Sequence, residues 1–183
     1  MKTLILCLGT MIAMLLSACS TAPTTASDRQ ELNNDSQNAL ADFKATDPSL
    51  GQFLDSAYGY ATFPDIGKGA VVVGGAYGHG QVYEHGKLVG YADITQATVG
   101  AALGGQEYSE LLVFQNQQAM DNFKAGSFTF AAQASAVAAN SGAASSAKFE
   151  NGVAVFVKTK GGLMGEASVG GQKFNFTSAA PMN

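Results

Sequence analysis

The fold is decided by a glycine-rich stretch, residues 57–92, which reads AYGYATFPDIGKGAVVVGGAYGHGQVYEHGKLVGYA. Two runs of β-branched and aromatic residues are separated by the glycine cluster 74–80, and residues 84–87 have the composition of a hairpin turn. Glycines at this density within strand-like sequence mark bulges, tight bends or places where backbones or ligands approach closely. The stretch therefore predicts a sheet in which glycines set the shape rather than perform chemistry.

The N-terminus has the features of an export signal. Lys2 supplies a positive start, and the apolar core from Leu4 to Leu16 is too short for a membrane span, so residues 1–18 are expected to be a signal peptide. Small residues directly before Cys19 resemble the lipobox of bacterial lipoproteins; the alternative is an ordinary secretory signal with an incidental cysteine. The resemblance implies a Cys19 that carries diacylglycerol and an N-acyl chain such as palmitate, which together give stable anchoring. Because Ser20 stands where inner-membrane lipoproteins carry Asp, the resemblance favours the outer membrane, facing the periplasm.

Behind the signal, residues 19–27 are predicted to be a polar, proline-containing tether, and residues 28–183 a single domain. About 155 residues are enough for one substantial core. Cys7 leaves with the signal and Cys19 is consumed by lipidation, so no disulfide, catalytic thiolate or thiolate metal ligand remains. The balance of 10 basic against 14 acidic side chains argues against nucleic acid as a partner and against general attraction to anionic bilayers.

Helices are predicted before the glycine-rich stretch. Within residues 28–44, apolar and small residues recur on one helical face, with Leu40 and Phe43 at its centre. Asp47-Pro48 ends this pattern, and Ser49 is placed to cap a second, short helix. The acidic polar face of the first helix favours packing on a sheet over lying on a membrane surface.

The remainder reads mainly as strands. Residues 71–73, 81–83, 88–92 and 111–114 are expected to be strands, Asn116 the N-cap of a helix that ends at Gly126, and residues 153–157, 163–169 and 173–176 a closing meander with turns at 158–162 and 170–172. Residues 95–105 fit a short helix, a strand or a loop, and the Ala/Ser-rich segment 128–146 fits helix or loop. The predicted class is α+β, with N-terminal helices and another helix packed on a mostly antiparallel, strongly curved, glycine-rich sheet.

The patterns of catalytic, metal and cofactor sites are missing. His79 and His85 do not have metal-ligand spacing, and the chain contains no nucleophile elbow or phosphate-binding loop. For His79 a local hydrogen bond is favoured over a ligand contact. The scattered carboxylates Asp65, Asp93, Glu107, Glu110 and Glu166 are expected to be mostly solvated surface charges. We therefore expect a protein that is not an enzyme and uses no cofactor.

The basic residues of the second half offer one candidate surface. Lys158 and Lys160 are two residues apart at a predicted strand end, so that both can point to one face. There they can bind an anionic headgroup or keep an edge strand soluble. Lys68 sits beside the glycine cluster and is a further candidate for headgroup contact.

The ordered series of motifs resembles the SYLF domain. It includes residues 57–64, 67–70, 74–80, 100–106, 110–114 and 116–123 and closes with 160–167, so that it covers about residues 30–176. SYLF domains bind lipid in membrane-remodelling proteins and bacterial lipoproteins, and in yeast they also bind actin. Two departures limit the transfer: the N-terminal region is acidic rather than basic, and the chain contains no Trp.

The resemblance implies a non-catalytic envelope lipoprotein whose domain binds membrane phospholipid or a lipid-like ligand. Expected contacts are Lys68, Lys158 and Lys160 for headgroups and Tyr60, Phe63 and Tyr77 for apolar or interfacial contact. The alternative is a structural or interaction protein that binds another envelope protein through its sheet. An unrecognised hydrolase that uses His79 ranks last.

Overall fold

The computed structural model describes residues 23–70, 73–126, 129–130, 136–138 and 141–179, so that the predicted signal peptide and Cys19 lie outside the described part. The elements are α1 (Ala26–Thr46), α2 (Leu50–Asp55), β1 (Gly59–Ala70), β2 (Val73–Glu84), β3 (Lys87–Phe114), α3 (Gln117–Lys124), β4 (Thr129–Phe130), β5 (Ala136–Ala138), α4 (Ala143–Ser146) and β6 (Val153–Ser178). The predicted α+β class with a curved, mostly antiparallel sheet is confirmed.

Strand β3 is the centre of the sheet. Its first half, as far as Val99, pairs with β2, and its second half, from Gly104, pairs with β1. Because β1 and β2 also pair with each other, β3 bends around the β1–β2 hairpin. Strand β6 follows β3 along the opposite edge from end to end, and β4 and β5 add short pairings to β6. The sheet is therefore folded over on itself, with an inner and an outer face.

The predicted closing meander is wrong, because residues 153–178 form one continuous strand. Residues 95–105, which the sequence left open, are likewise part of the single strand β3. Gly-Gly pairs favour turns locally, but β3 and β6 give each other a continuous ladder that satisfies their backbone groups. The ladder shifts register once, between Glu107 and Tyr108, which leaves Lys160 as an extra residue in a bulge.

Side chains alternate between the two faces and form two cores. The inner core is built around Phe63, Phe174 and Leu112 and is closed at one end by α3. The outer core contains Leu111, Phe156 and other residues that pack beneath the N-terminal helices. The predicted buried face of α1 is confirmed, since Ser36, Ala39, Leu40 and Phe43 are buried.

The predicted caps have different outcomes. Asn116 caps α3 as expected, with its Oδ1 accepting from Ala119 N at 3.0 Å, and Gly126 follows the helix with φ +67°. Ser49 does not cap α2, because its backbone is already helical and its side chain makes no capping bond. The capping role belongs to Asp47.

The carboxylate of Asp47 joins the helices. Its oxygens accept from Ser49 Oγ at 2.6 Å, from Gly142 N at 3.1 Å and from Ala144 N at 2.6 Å, so that α2 is tied to the start of α4. Burial acts to raise the pKa of Asp47, but these hydrogen bonds outweigh it and the pKa is lowered.

The described part of the Ala/Ser-rich segment 128–146 contains β4, β5 and α4, so that Ala136–Ala138, which the sequence left open to a helix, is a strand. The rest of that segment lies outside the described residues. Among the helices that the structure describes, none combines the length and apolarity needed to cross a membrane.

Candidate functional site

Four strands, β1, β2, β3 and β6, meet at one end of the sheet. Ala70 pairs with both Gly74 and Gly104, and Val99 pairs with both Val73 and Val169. We call residues 69–70, 73–76, 97–106 and 161–171 the distal end. Their sequence consists almost entirely of glycine, alanine and aliphatic residues, and Glu166 is its one charged residue.

The described side chains of the distal end contribute little to the cores. Among them only Ala76 belongs to the inner core, and none belongs to the outer core. Gly69, Gly75, Ala97 and Gly105 are exposed. The described side chains of the distal end therefore include no charged group.

Lys68 and Tyr77 border the distal end on β1 and β2. Lys68 is half-buried and pairs with Ala76, so that its side chain shares the inner face. Tyr77 projects to the opposite face, is 45% exposed, and is one of two large apolar side chains exposed in the described part of the chain. A cation and a phenol therefore stand at the boundary between the distal end and the cores.

Lys158 and Lys160 lie farther back, along the groove between α1 and the sheet. Lys158 Nζ is 2.8 Å from Asp42 Oδ2, and this hydrogen bond and charge lower the pKa of Asp42. Lys160 forms an ion pair with Asp65 in β1. Both predicted headgroup contacts are therefore already paired with a carboxylate, and an anionic ligand would have to displace an aspartate from each.

Two cavities follow the same groove and are mainly acidic. One, of about 490 Å³, is lined by residues that include Asp35, Asp42, Asp65 and Lys160. The other, of about 450 Å³, shares Asp35 and Asp65 and reaches His79. Their charge favours cations over phosphate groups.

Tyr60 and Phe63 do not join these residues on one surface. Phe63 is fully buried in the inner core, with its ring centroid 5.6 Å from that of Phe174. Tyr60 is half-buried beneath the helices and stacks on Tyr83 at 4.9 Å, and burial raises its pKa. The six predicted lipid contacts are thus divided among the distal boundary, the groove and the interior.

The histidines have structural partners. His79 Nδ1 lies 2.7 Å from Asp93 Oδ1, which confirms the predicted local hydrogen bond. The burial of Asp93 raises its pKa, and the bond to His79 partly offsets that rise. The ring of His85 packs edge-on against Tyr58 at 4.5 Å. In the described part of the chain, no group of three or more His, Cys, Asp or Glu side chains is placed to hold a metal ion.

Two carboxylates that were expected at the surface are buried. Glu110 and Asp93 are 1% and 2% exposed, so the prediction that they are surface charges is wrong. Glu110 accepts a 2.8 Å hydrogen bond from Gln172 Nε2, and its burial raises its pKa to about 7. Its alternation with Tyr108 and Leu112 on β3 was the signal that places it on the inner face.

Part of the chain is similar to a known protein family. Residues 95–180 match the family model Ysc84, described as Las17-binding protein actin regulator. The chain is also 28% identical over 155 residues to Beta cell expansion factor A of Aeromonas veronii, and the aligned region covers 83% of this chain and 59% of that protein. The chain thus spans less than two thirds of this relative's length. The predicted SYLF resemblance is confirmed.

Proposed function

We propose that this chain, whose residues 95–180 match the Ysc84 (SYLF) family model, is a non-catalytic envelope lipoprotein that binds phospholipid or a lipid-like ligand. The observation that carries the proposal is the distal end, where four strands bring together a nearly uncharged, glycine-rich and aliphatic sequence. Burial of about 200 Å² of apolar surface in acyl chains would contribute roughly 5 kcal/mol before the costs of association.

Lys68 and Tyr77 are proposed as the residues that fix the depth of this contact. A lysine beside apolar surface keeps its stem in the apolar layer and extends its ammonium group to the headgroups. A tyrosine is favoured at the same level, because its ring is apolar and its hydroxyl stays hydrated. Both flank the distal end in the sheet.

The anchor follows from the sequence rather than from the described residues. Acyl chains on Cys19, in the outer membrane and facing the periplasm, would hold the domain close to its own membrane. The tether of residues 19–27 would then give a high effective concentration, so that a weak intrinsic affinity suffices.

The test compares the border of the distal end with the turn between β2 and β3. Residues 20–183, which contain every described element, are mixed with phosphatidylglycerol vesicles and floated, as wild type and with Lys68→Gln plus Tyr77→Ser. The matched control is Lys87→Gln plus Leu88→Ser, which removes an exposed lysine and an exposed apolar side chain at the turn. We expect a several-fold loss of binding only in the first pair; equal loss in both, or none in either, would contradict the proposed surface.

A separate test of Lys158 and Lys160 uses two double variants that are expected to change vesicle binding in opposite directions. If Lys158 and Lys160 contact headgroups, changing both to Gln weakens binding, whereas Asp42→Asn plus Asp65→Asn releases them and strengthens it. If both double variants bind as the wild type does, these lysines are not part of the lipid site.

A second candidate is binding to another envelope protein. It is favoured by the family description, which names a protein-binding function for Ysc84. Capture of one stoichiometric partner by a chain that does not bind vesicles would support this function instead. Actin binding is not proposed for this chain.

A further inference from the structure

Glu110 lies where the inner core gives way to the distal end. It alternates along β3 with Tyr108 and Leu112, both in the inner core, and is only 1% exposed. Its direct neighbours in the sheet are Phe63 on β1 and Val157 on β6. A carboxyl group in these surroundings is stable only if its charge is compensated or absent.

The hydrogen bond from Gln172 reaches Glu110 across the folded sheet. Glu110 belongs to the second half of β3, which pairs with the first half of β6, whereas Gln172 belongs to the second half of β6 and pairs with Gln96 in the first half of β3. Tyr108 and Gln96 make a parallel connection, with the phenol donating to Gln96 Oε1 at 3.4 Å. Two side-chain bridges therefore join the two halves of the bent sheet.

A proton on the carboxyl group of Glu110 would complete its bridge to Gln172. Gln172 Nε2 donates to Glu110 Oε2, while the Oε1 atoms of both residues are buried without a hydrogen-bond partner among the described residues. If Glu110 is a neutral acid protonated on Oε1, this hydroxyl donates to Gln172 Oε1, and the acid and the amide form a ring of two hydrogen bonds. Loss of the proton to solvent leaves a buried carboxylate facing the carbonyl oxygen of Gln172.

We propose that the Glu110–Gln172 pair is a proton-dependent clamp between the two halves of the sheet, closed when Glu110 is the neutral acid and loosened when it ionises. Opening would separate the walls next to the distal end, so the clamp would regulate the lipid contact of the proposed function. The clamp itself rests only on the geometry of the pair, and its test contains no lipid.

Lys68 on β1 shares the inner face with Glu110, but burial and the hydrogen bond from Gln172, rather than a neighbouring charge, set the direction in which the pKa of Glu110 moves. Four other charged or titratable side chains on the packed elements have partners elsewhere: Lys158 on β6 pairs with Asp42, Asp65 on β1 with Lys160, His79 on β2 with Asp93, and Lys124 on α3 with Glu84. Tyr108 is the titratable group that shares its face on β3. Burial raises the pKa of Glu110 to about 7, so that ionisation falls in the neutral range.

The test measures amide hydrogen exchange of the full chain in peptides from β3 and β6. After correction for intrinsic exchange, raising the pH from about 5 to 8 should increase opening by roughly 50-fold, because the open state releases the proton about 2.5 pH units earlier. Glu110→Gln should abolish this increase, since an amide at position 110 donates to and accepts from Gln172 as the neutral acid does. Glu107→Gln, an exposed change on the same strand, should retain it.

The same pH response in wild type and Glu110→Gln would overturn the clamp. If that variant does not fold, infrared spectroscopy of the wild type decides. A protonated carboxylic acid band that persists at pH 6 and is lost by about pH 8.5 supports the clamp. Absence of the band at pH 6 overturns it.

Discussion

Replacing Gly80 by alanine tests the idea that glycines shape this sheet. A Cβ at this position would lie 2.6 Å from Thr62 O and 2.6 Å from Phe63 Cδ1. Neither neighbour can yield easily, because the first is backbone in an adjacent strand and the second is a ring with no exposed surface. Overpacking typically costs about 1–3 kcal/mol, and contact with backbone places Gly80→Ala in the upper part of that range.

The matched control is Gly69→Ala, on the strand that pairs with β2. A Cβ there meets nothing within 4 Å, so the lower entropy of the unfolded alanine chain should leave stability unchanged or raise it by about 0.5–1 kcal/mol. Thermal unfolding of residues 20–183 reads out both changes, at roughly 2–4 °C per kcal/mol for a domain of this size. Equal melting temperatures for the two variants would refute the argument that close strand contacts require glycine.

Three further predictions concern buried acids and are checked by urea unfolding at several pH values. Asp47→Ala should lower the free energy of unfolding by about 2–4 kcal/mol near neutral pH, because two amides at the start of α4 lose their acceptor. Since the pKa of Asp47 is lowered in the folded protein, this loss of stability should shrink as the pH falls through that pKa. A loss that does not change with pH would contradict the prediction. His79→Ala should destabilise the fold more at pH 8 than at pH 5, because Asp93, whose pKa burial already raises, loses its partner. Equal losses of stability at the two pH values would contradict this prediction. Wild-type stability should fall by about 3 kcal/mol from pH 4.5 to 7 relative to Glu110→Gln, because the raised pKa of Glu110 means that only the unfolded chain ionises there; parallel curves would contradict this.

Local patterns sufficed for the helices. The buried face of α1, the Asn116 cap and the hairpin turn follow from side-chain period and capping chemistry, which act within a few residues. Ser49 was a misleading cap signal, because its amide and its hydroxyl both donate to the carboxylate of Asp47.

Non-local pairing explains the main error in the fold. The Gly-Gly pair at 161–162 has the composition of a turn, yet β6 passes through it because β3 supplies backbone partners along its length. A single sequence gives the local preference for a turn but not the neighbour that overrides it.

The candidate site was predictable only in part. Lipid contact by Lys68 and Tyr77 stays a prediction, whereas Phe63, for which apolar or interfacial contact was predicted, is interior. Glu110 was wrongly predicted to be exposed, because a carboxylate side chain by itself indicates a solvated position. Its partner Gln172 is 62 residues away in sequence, so the local pattern does not reveal it. Strand alternation could have indicated its face but not that partner.

The central claim is that the domain binds phospholipid by itself. It is tested most directly by co-sedimentation of residues 20–183, which lack Cys19, with zwitterionic, phosphatidylglycerol and cardiolipin vesicles at low and physiological salt. We predict binding that persists at physiological salt, because an apolar contact is screened far less than a purely ionic one. Absence of binding to every composition would contradict the claim and leave membrane attachment to the lipid anchor alone.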